Sequence, residues 1–194
     1  STRKESSAAS DVYKRQCKEC NRKYECTGEN AAFCNHMKNI LVAKYGAAEG
    51  CLKESRIRHS IGVANFLFAY AKSHDWSKEE TEDLYLTGLL HDIGYIDNPK
   101  GTDHGRLGAE ILKRNGLNAE ICELISCHGR FIENPSRKQA LLWLADLCVN
   151  RDGDYIGYQK RYESIKERYK NDPERLFQVY RILEYLQIHF SEYR

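Results

Sequence analysis

Proline, methionine and long apolar runs are scarce in this sequence, and the lack of long apolar runs argues against a membrane protein. Of 194 residues, 3 are proline and 1 is methionine. No apolar run approaches the roughly 18 residues that a membrane span requires, and the N-terminal residues include no hydrophobic signal region. We therefore expect no membrane partner and a cytoplasmic location. Lysine and arginine (30) exceed aspartate and glutamate (28) by only 2, so bulk electrostatics does not favour nucleic acid as a partner.

The residues that are abundant favour a helical protein of ordinary composition. Hydrophobic residues make up 41% of the chain and charged residues 30%, as in typical globular domains. Leucine, lysine, glutamate and alanine are frequent, whereas β-branched clusters are rare, which favours helices over strands. The length fits one domain with a substantial core. We predict an all-α fold.

The first 36 residues differ in character from the rest. Ser6 to Gln16 resembles the translation of a transposon adapter used in preparing sequencing libraries, so we expect residues 1–16 to be a non-native tail. Residues 17–36 form a cysteine-rich segment whose thiolates have spacings that can close around one structural zinc ion: Cys17, Cys20, Cys26 and Cys34. The alternative is unstructured or artefactual sequence upstream of Met37, which would then begin a domain over residues 37–194.

From residue 37 onward, apolar residues recur at helical spacing between short polar or glycine-containing breaks. We predict one helix over about Met37–Tyr45, one over Glu54–His74, and a third that begins at a capping box formed by Ser77 and Glu80. The later pattern predicts a helix opened by His104, one ending at His128, an apolar and central helix over Lys138–Val149, and two packing helices over Tyr158–Phe190.

A histidine and an aspartate stand side by side where the third helix ends, at His91 and Asp92. Adjacent side chains on a helix diverge by about 100°, so the two cannot hydrogen-bond each other well, but a metal ion between them can contact both. Three more histidines and one more aspartate follow at helix-sized intervals: His59, His104, His128 and Asp146. Asp146 lies in the most apolar helix, where burying a carboxylate without a partner is costly.

Six imidazole and carboxylate donors exceed the needs of a single structural zinc ion. Mixed nitrogen and oxygen donors suit Fe, Mn, Co, Ni or Zn better than Mg or Ca. We therefore predict two divalent metal ions, Fe or Mn before the others, with one carboxylate bridging them. Two such ions about 3.5–4 Å apart can share a hydroxide nucleophile and hold a phosphoryl oxygen.

The order His, His-Asp, His, His, Asp resembles the HD-domain superfamily of metal-dependent phosphohydrolases. His91-Asp92-Ile93-Gly94 is similar to the signature that names it, and the segments beginning at Arg56, His104, Ile125 and Ala145 resemble those that carry its other ligands. The similarity covers about residues 54–151, which we expect to be the catalytic core of an HD-domain helical bundle. Small bacterial symmetrical bis(5'-nucleosyl)-tetraphosphatases resemble the chain most by motif order and size.

The resemblance implies a role for each donor. His59, His91, Asp92 and Asp146 would hold one ion, and Asp92 would bridge to a second ion held by His104 and His128. His91 and Asp92 would be the catalytic doublet, and the nucleophile a metal-bound water or hydroxide.

Four cations near these motifs are candidates for binding substrate phosphate: Arg151, Lys100, Arg106 and Arg130. Tyr95 stands where many members of the superfamily place a lysine, which argues against lysine-assisted phosphate binding at that position. The chain also has no Gly-Tyr-Pro segment, which argues against a cyclic-di-GMP phosphodiesterase.

Three functions are compatible with this donor set. The first is a phosphohydrolase that cleaves a phosphoester or phosphoanhydride of a nucleotide or dinucleoside polyphosphate, with a small phosphorylated molecule as its partner. The second is an HD-fold di-iron oxygenase, because both classes use the same ligands. The third is a non-catalytic HD module that senses a nucleotide, and the complete set of six donors argues against it.

Overall fold

Seven α-helices joined by short turns account for most of residues 54–95, 101 and 103–194, the part of the chain that the computed structural model describes. They are α1 (Glu54–Ser73), α2 (Lys78–Leu90), α3 (His104–Arg114), α4 (Ala119–Cys127), α5 (Arg137–Cys148), α6 (Tyr158–Arg168) and α7 (Pro173–His189). Short 3-10 turns follow α2 at Ile93–Tyr95 and α7 at Ser191–Tyr193. Among these described residues there is no strand beyond one isolated bridge between Val149 and Tyr155, so the predicted all-α fold is confirmed.

Three sequence predictions concern residues outside the described part of the chain. These are the tail over residues 1–16, the cysteine-rich segment over residues 17–36 with its four candidate zinc ligands, and the helix over about Met37–Tyr45. The phosphate-binding candidate Lys100 also lies outside the described residues. All of these stay predictions.

Helix α5 lies at the centre of the fold because it is apolar on nearly every face. The consecutive residues Leu141 to Ala145 are at most 1% exposed, and Trp143 is among the largest fully buried side chains. Helices α1, α6 and α7 share one apolar core with α5. The central position predicted for this helix is therefore confirmed.

The helix starts follow from local capping. The Ser77 side chain accepts a hydrogen bond from the backbone N–H of Glu80, and the Glu80 carboxylate accepts one from the backbone N–H of Ser77. This reciprocal pair satisfies donors that the first turn would otherwise leave free. Asn118 and Ser136 cap α4 and α5 by one contact each, because their side chains accept a hydrogen bond from a backbone N–H of the first turn. The capping box predicted for the third helix is confirmed.

Helices α6 and α7 pack on α5 through buried residues of their inner faces, among them Ile165, Ile182 and Leu186. They are the two packing helices that the amphipathic C-terminal stretch predicts, and Asp172 caps α7 ahead of Pro173. None of the helices in the described part of the chain is long and apolar enough to span a membrane.

Candidate metal centre

The six predicted donors stand at helix ends or on buried helix faces that meet in one place. His91 and His128 are the residues that directly follow α2 and α4, and His104 is the first residue of α3. His59 lies on α1, and Asp146 lies on α5. All four histidines are buried, with exposed fractions between 0% and 9%. The structure thus brings together every donor that the sequence identifies.

One group of donors forms around Asp146. Its Oδ1 lies 2.9 Å from Nε2 of His59 and 3.9 Å from Nε2 of His91. The nitrogen and oxygen atoms of these three residues lie close enough together to hold one metal ion. Asp146 keeps 28% of its side chain exposed because it faces a cavity, so its carboxylate is not stranded in the apolar core.

A second group forms around Asp92, which is 3% exposed. Its Oδ1 lies 3.4 Å from Nε2 of His104 and 3.7 Å from the Nε2 atoms of both His91 and His128. Its Oδ2 accepts a hydrogen bond of 2.7 Å from Arg56. Oδ1 of Asp92 is therefore the oxygen that faces three imidazoles, and His91 is near both carboxylates.

The backbone fixes the tautomer of each imidazole. Nδ1 of His91 donates to the carbonyl oxygen of Gly88 at 2.7 Å, and Nδ1 of His104 donates to that of Gly101 at 2.8 Å. His59 and His128 make the same contact with backbone carbonyls at 3.1 and 2.6 Å. A carbonyl can only accept, so Nδ1 carries a proton in all four rings, and in each neutral ring Nε2 presents a lone pair to the centre. Metal-ligating histidines are typically oriented by this kind of contact.

Two features of these Nε2 atoms fit a bound cation. Nε2 of His91 is fully buried and has no hydrogen-bond partner among the described residues, which is costly for a polar atom. The Nε2 atoms of His104 and His128 lie 2.8 Å apart, so two lone pairs face each other at hydrogen-bond distance when both rings are neutral. A cation among these atoms satisfies the first and removes the repulsion between the other two.

Burial and neighbouring charges keep most donors in the state that a metal ion requires. Burial lowers the pKa of His91 to about 4 and that of His104 to about 3, so both imidazoles are neutral at neutral pH. Burial alone would raise the pKa of Asp92, but His91, His128 and Arg56 together hold it well below its usual range. Burial alone would likewise raise the pKa of Asp146, but the close contact with His59 and the proximity of His91 together lower it. Neutral imidazoles and ionised carboxylates are the forms that bind divalent metals.

Glycines allow α3 to approach close enough for His104 to join the group. A Cβ at Gly94 would overlap the carbonyl oxygen of His104 and lie 2.6 Å from the backbone nitrogen of Gly108. A Cβ at Gly105 would lie 2.9 Å from the carbonyl oxygen of Ile125 on α4. Larger residues at these positions would push α3 away from the turn after α2 and from α4.

A cavity opens next to the donors and is lined by four arginines: Arg56, Arg161, Arg168 and Arg175. Its aromatic lining includes Tyr95, whose ring lies between the guanidinium of Arg56, 3.8 Å from the ring centroid, and the imidazole of His104, at a centroid separation of 4.3 Å. Tyr95 therefore packs against a cation that pairs with Asp92.

These arginines differ from the ones that the sequence singles out. Arg106 is on the surface, paired with Asp103 and Glu110, and Arg130 is exposed; neither lines the cavity. Arg151 is also exposed and outside the lining, and partial burial, with Arg168 and Arg56 nearby, lowers its pKa. The role of all three in substrate binding stays a prediction.

Three of the four lining arginines belong to α6 and α7, beyond the expected core of residues 54–151. Arg161, Ile165 and Arg168 are spaced i, i+4 and i+7 along α6 and share its inner face. In the sequence these residues lie among lysines and glutamates, a composition typical of an exposed helix face. Only the packing of α6 against α5 distinguishes this face from the exposed one.

Comparison with known proteins assigns this arrangement to a family. A family model described as "HD domain" matches residues 56–180, which contain all six donors and the four lining arginines. The chain belongs to the HD domain family. The match extends through α6 and into α7, so the cavity-lining arginines of both helices fall within the matched range.

The curated relatives are distant. Ribonuclease Y of Mycoplasma mycoides is 34% identical over 113 residues, which cover 57% of this chain and 20% of the relative. Ribonuclease Y of Fervidobacterium nodosum is 35% identical over 92 residues, or 43% of this chain and 18% of the relative. An uncharacterized protein of Methanocaldococcus jannaschii is 31% identical over 77 residues, or 39% and 45%. The chain thus spans about a fifth of each ribonuclease Y, and the two named relatives are not the symmetrical tetraphosphatases that the motif order suggests.

No solved structure matches the chain.

Proposed function

We propose that the protein is a metal-dependent phosphohydrolase that acts on a small phosphorylated molecule, with a nucleotide as the first candidate. One observation carries the proposal: four imidazoles, each with Nδ1 tied to a backbone carbonyl, direct Nε2 toward two carboxylates beside an arginine-lined cavity. Divalent ions bound there supply Lewis-acid polarisation of a phosphoryl oxygen and lower the pKa of a coordinated water toward neutrality.

The donors divide into two ligand sets in this proposal. His59, His91, Asp92 and Asp146 would hold one ion, and Asp92 would bridge to a second ion held by His104 and His128. Arg56 neutralises Oδ2 of Asp92 and limits its rotation. Fe and Mn are the preferred ions for this mixture of imidazole and carboxylate, ahead of Co, Ni and Zn.

The lining of the cavity favours an anionic substrate. Four guanidinium groups stand against the two carboxylates Asp92 and Asp146, so the cavity is cationic before any metal ion is added. Arginine binds phosphate oxygens through two parallel hydrogen bonds. Aromatic and apolar residues complete the wall, which suits the organic part of a nucleotide: Tyr95, Trp143, Tyr169, Val179 and Ile182.

Ribonucleic acid is a second candidate substrate, because two of the curated relatives are named as ribonucleases. The net charge of +2 and the location of the four arginines inside a cavity favour a small molecule. A short RNA therefore belongs in the substrate panel beside mononucleotides and diadenosine tetraphosphate.

The test combines metal analysis with turnover. The protein loaded with Mn2+ or with Fe2+ is incubated with the panel with and without oxygen, and released phosphate or nucleotide is measured. We expect hydrolysis that requires metal and does not require oxygen. Fewer than one bound ion per chain together with no turnover of any phosphate ester would overturn the enzyme proposal.

The remaining outcomes separate the alternatives. Substrate consumption that depends on both Fe2+ and oxygen would contradict hydrolysis and favour the di-iron oxygenase. Binding of a nucleotide by the metal-loaded protein without turnover would favour the sensor module.

A further inference from the structure

Arg161 differs from the other arginines of the cavity in how it is buried. It lies on α6, lines the cavity, and is only 4% exposed. Its Nε is fully buried and has no hydrogen-bond partner in the described part of the chain. Its guanidinium forms no ion pair with any described carboxylate, although Asp146 and Asp92 line the same cavity.

The other lining arginines have partners. Arg56 pairs with Asp92 at 2.7 Å. Arg175 donates to the carbonyl oxygen of Gly101 at 3.3 Å and lies 4.1 Å from the ring centroid of Tyr169. The guanidinium of Arg168 lies 5.7 Å from the same centroid. Arg161 therefore has hydrogen-bonding capacity that the protein itself does not use.

Burying a guanidinium without an acceptor is costly, because the group leaves water and gains no compensating hydrogen bond. The cost is offset when an anion enters the cavity and accepts hydrogen bonds from the planar guanidinium group. Phosphate is well matched to this geometry, since two of its oxygens can accept in parallel.

We propose that Arg161 binds a terminal phosphate group, so that the preferred substrates are phosphomonoesters or molecules with a free end phosphate rather than internal phosphodiesters. Binding of the terminal phosphate by Arg161 is one claim, and its hydrolysis rests on the proposed phosphohydrolase function. It narrows the substrate class and makes dinucleoside polyphosphates, which have no free end, poorer substrates.

The number of phosphate oxygens supports the choice of a terminal group. A monoester has three non-bridging oxygens, enough for a two-pronged contact with Arg161 and one contact at the donor cluster. A diester has only two, and its second ester substituent would have to continue past a side chain that is 4% exposed.

Binding measurements with two small probes test the proposal without requiring turnover. Methyl phosphate and dimethyl phosphate are titrated calorimetrically into the full chain, once metal-loaded and once after chelation. We expect the wild type to prefer methyl phosphate. Arg161→Gln should weaken methyl phosphate binding by about tenfold or more, since hydrogen bonds to charged groups are of that strength, and should leave dimethyl phosphate binding unchanged.

Two further variants serve as controls. Lys160→Gln removes one positive charge from the neighbouring, exposed position of the same helix and should bind both probes as the wild type does. Arg161→Lys keeps the positive charge but loses the paired N–H donors of the guanidinium group. It also serves as the test variant if circular dichroism shows that Arg161→Gln does not fold. It should weaken methyl phosphate binding selectively, though less than glutamine does.

Unchanged methyl phosphate binding in both folded Arg161 variants would overturn the proposal. Equal weakening of both probes would overturn the preference for a terminal phosphate. The expected pattern of binding together with no hydrolysis of any ester would support the assignment of Arg161 and reject the proposed hydrolase function, so the two failures are distinguishable.

Discussion

Asp92 presents its two oxygens to different partners. Oδ2 is held by Arg56, and Oδ1 faces the Nε2 atoms of His91, His104 and His128. The contact with Arg56 leaves Oδ1 as the oxygen of Asp92 that these imidazoles and a metal ion among them would share. Asp146 forms no ion pair with an arginine of the described residues and lies closest to His59, so the two carboxylates should differ in how many ions depend on them.

Substitution of single donors tests that difference. Asp92→Ala should remove both ions, because Asp92 lies between the two ligand sets. His128→Ala should remove mainly the second ion and leave about one per chain, because His59, His91 and Asp146 do not depend on it. Metal content per chain, measured by mass spectrometry of the purified variants, checks both expectations.

His74→Ala is the matched control, since His74 is exposed and stacks on Tyr70 outside the donor cluster. It should retain the metal content of the wild type. Equal metal loss in Asp92→Ala and His128→Ala would argue against Asp92 as the bridge.

The tautomers are also open to direct measurement. Each Nδ1 of the four clustered histidines donates to a backbone carbonyl, so we expect the Nδ1-protonated form for the neutral rings, which is the minor form of free histidine. Long-range nitrogen-proton correlation spectra of the metal-free protein at neutral pH distinguish the two tautomers. Nε2-protonated rings at His91 and His104 would contradict the orientation on which the metal centre depends.

At the scale of helices, the approach of α3 to its neighbours decides whether the second ligand set forms. Gly94→Ala places a methyl group against the carbonyl oxygen of His104, and backbone atoms cannot yield as the end of a flexible side chain can. We expect this variant to lose the ion held by His104 and His128 while α1, α2 and α5 keep the first ion. Metal content and thermal melting measure the two effects.

Gly129→Ala supplies a control close to the same histidine. Its Cβ would meet only Cε1 of His104, at 3.8 Å, which is ordinary van der Waals contact. Its metal content should equal that of the wild type. Wild-type metal content in Gly94→Ala as well would show that α3 tolerates displacement, contrary to the close approach seen here.

The six candidate donors, which the structure brings together, could be identified from the sequence because they depend on local features. His91, His104 and His128 follow from helix ends marked by Gly94, by the polar loop before α3 and by Gly129. Asp146 follows from the cost of placing a carboxylate in an apolar helix. Such signals need no knowledge of how helices pack, and the structure brings all of these side chains together.

The cationic lining of the cavity could not be predicted in the same way. Arg161, Arg168 and Arg175 occur in a stretch where charged residues alternate with apolar ones, and helical spacing alone does not tell an inward-facing arginine from a solvated one. Their position follows from the packing of α6 and α7 on α5, a contact between elements distant in the chain. Arg106 illustrates the converse, because its motif adjoins His104 while its side chain points to Asp103 and Glu110 on the surface.

At the scale of the whole molecule, the donors connect five separate helical segments between residues 59 and 146. Metal ions bound by all of them therefore act as cross-links of the folded state that the unfolded chain cannot reproduce. Linkage requires that a ligand binding only the folded form raises its stability, by about 2.7 kcal/mol when free metal exceeds the dissociation constant a hundredfold. Without metal, Nε2 of His91 is buried with no hydrogen-bond partner among the described residues, and Nε2 of His104 lies 2.8 Å from that of His128.

Removal of metal with EDTA should accordingly lower the melting temperature, by about 5–10 °C for a domain of this size if the site is occupied at that excess. Differential scanning calorimetry before and after chelation, and after Mn2+ is restored, measures the change. Asp92→Ala is the reference, because a chain that holds no ion should melt at the same temperature with and without EDTA. A fall of equal size in that variant would assign the effect to the chelator, and no fall in the wild type would mean that the six donors do not hold ions tightly enough to stabilise the fold.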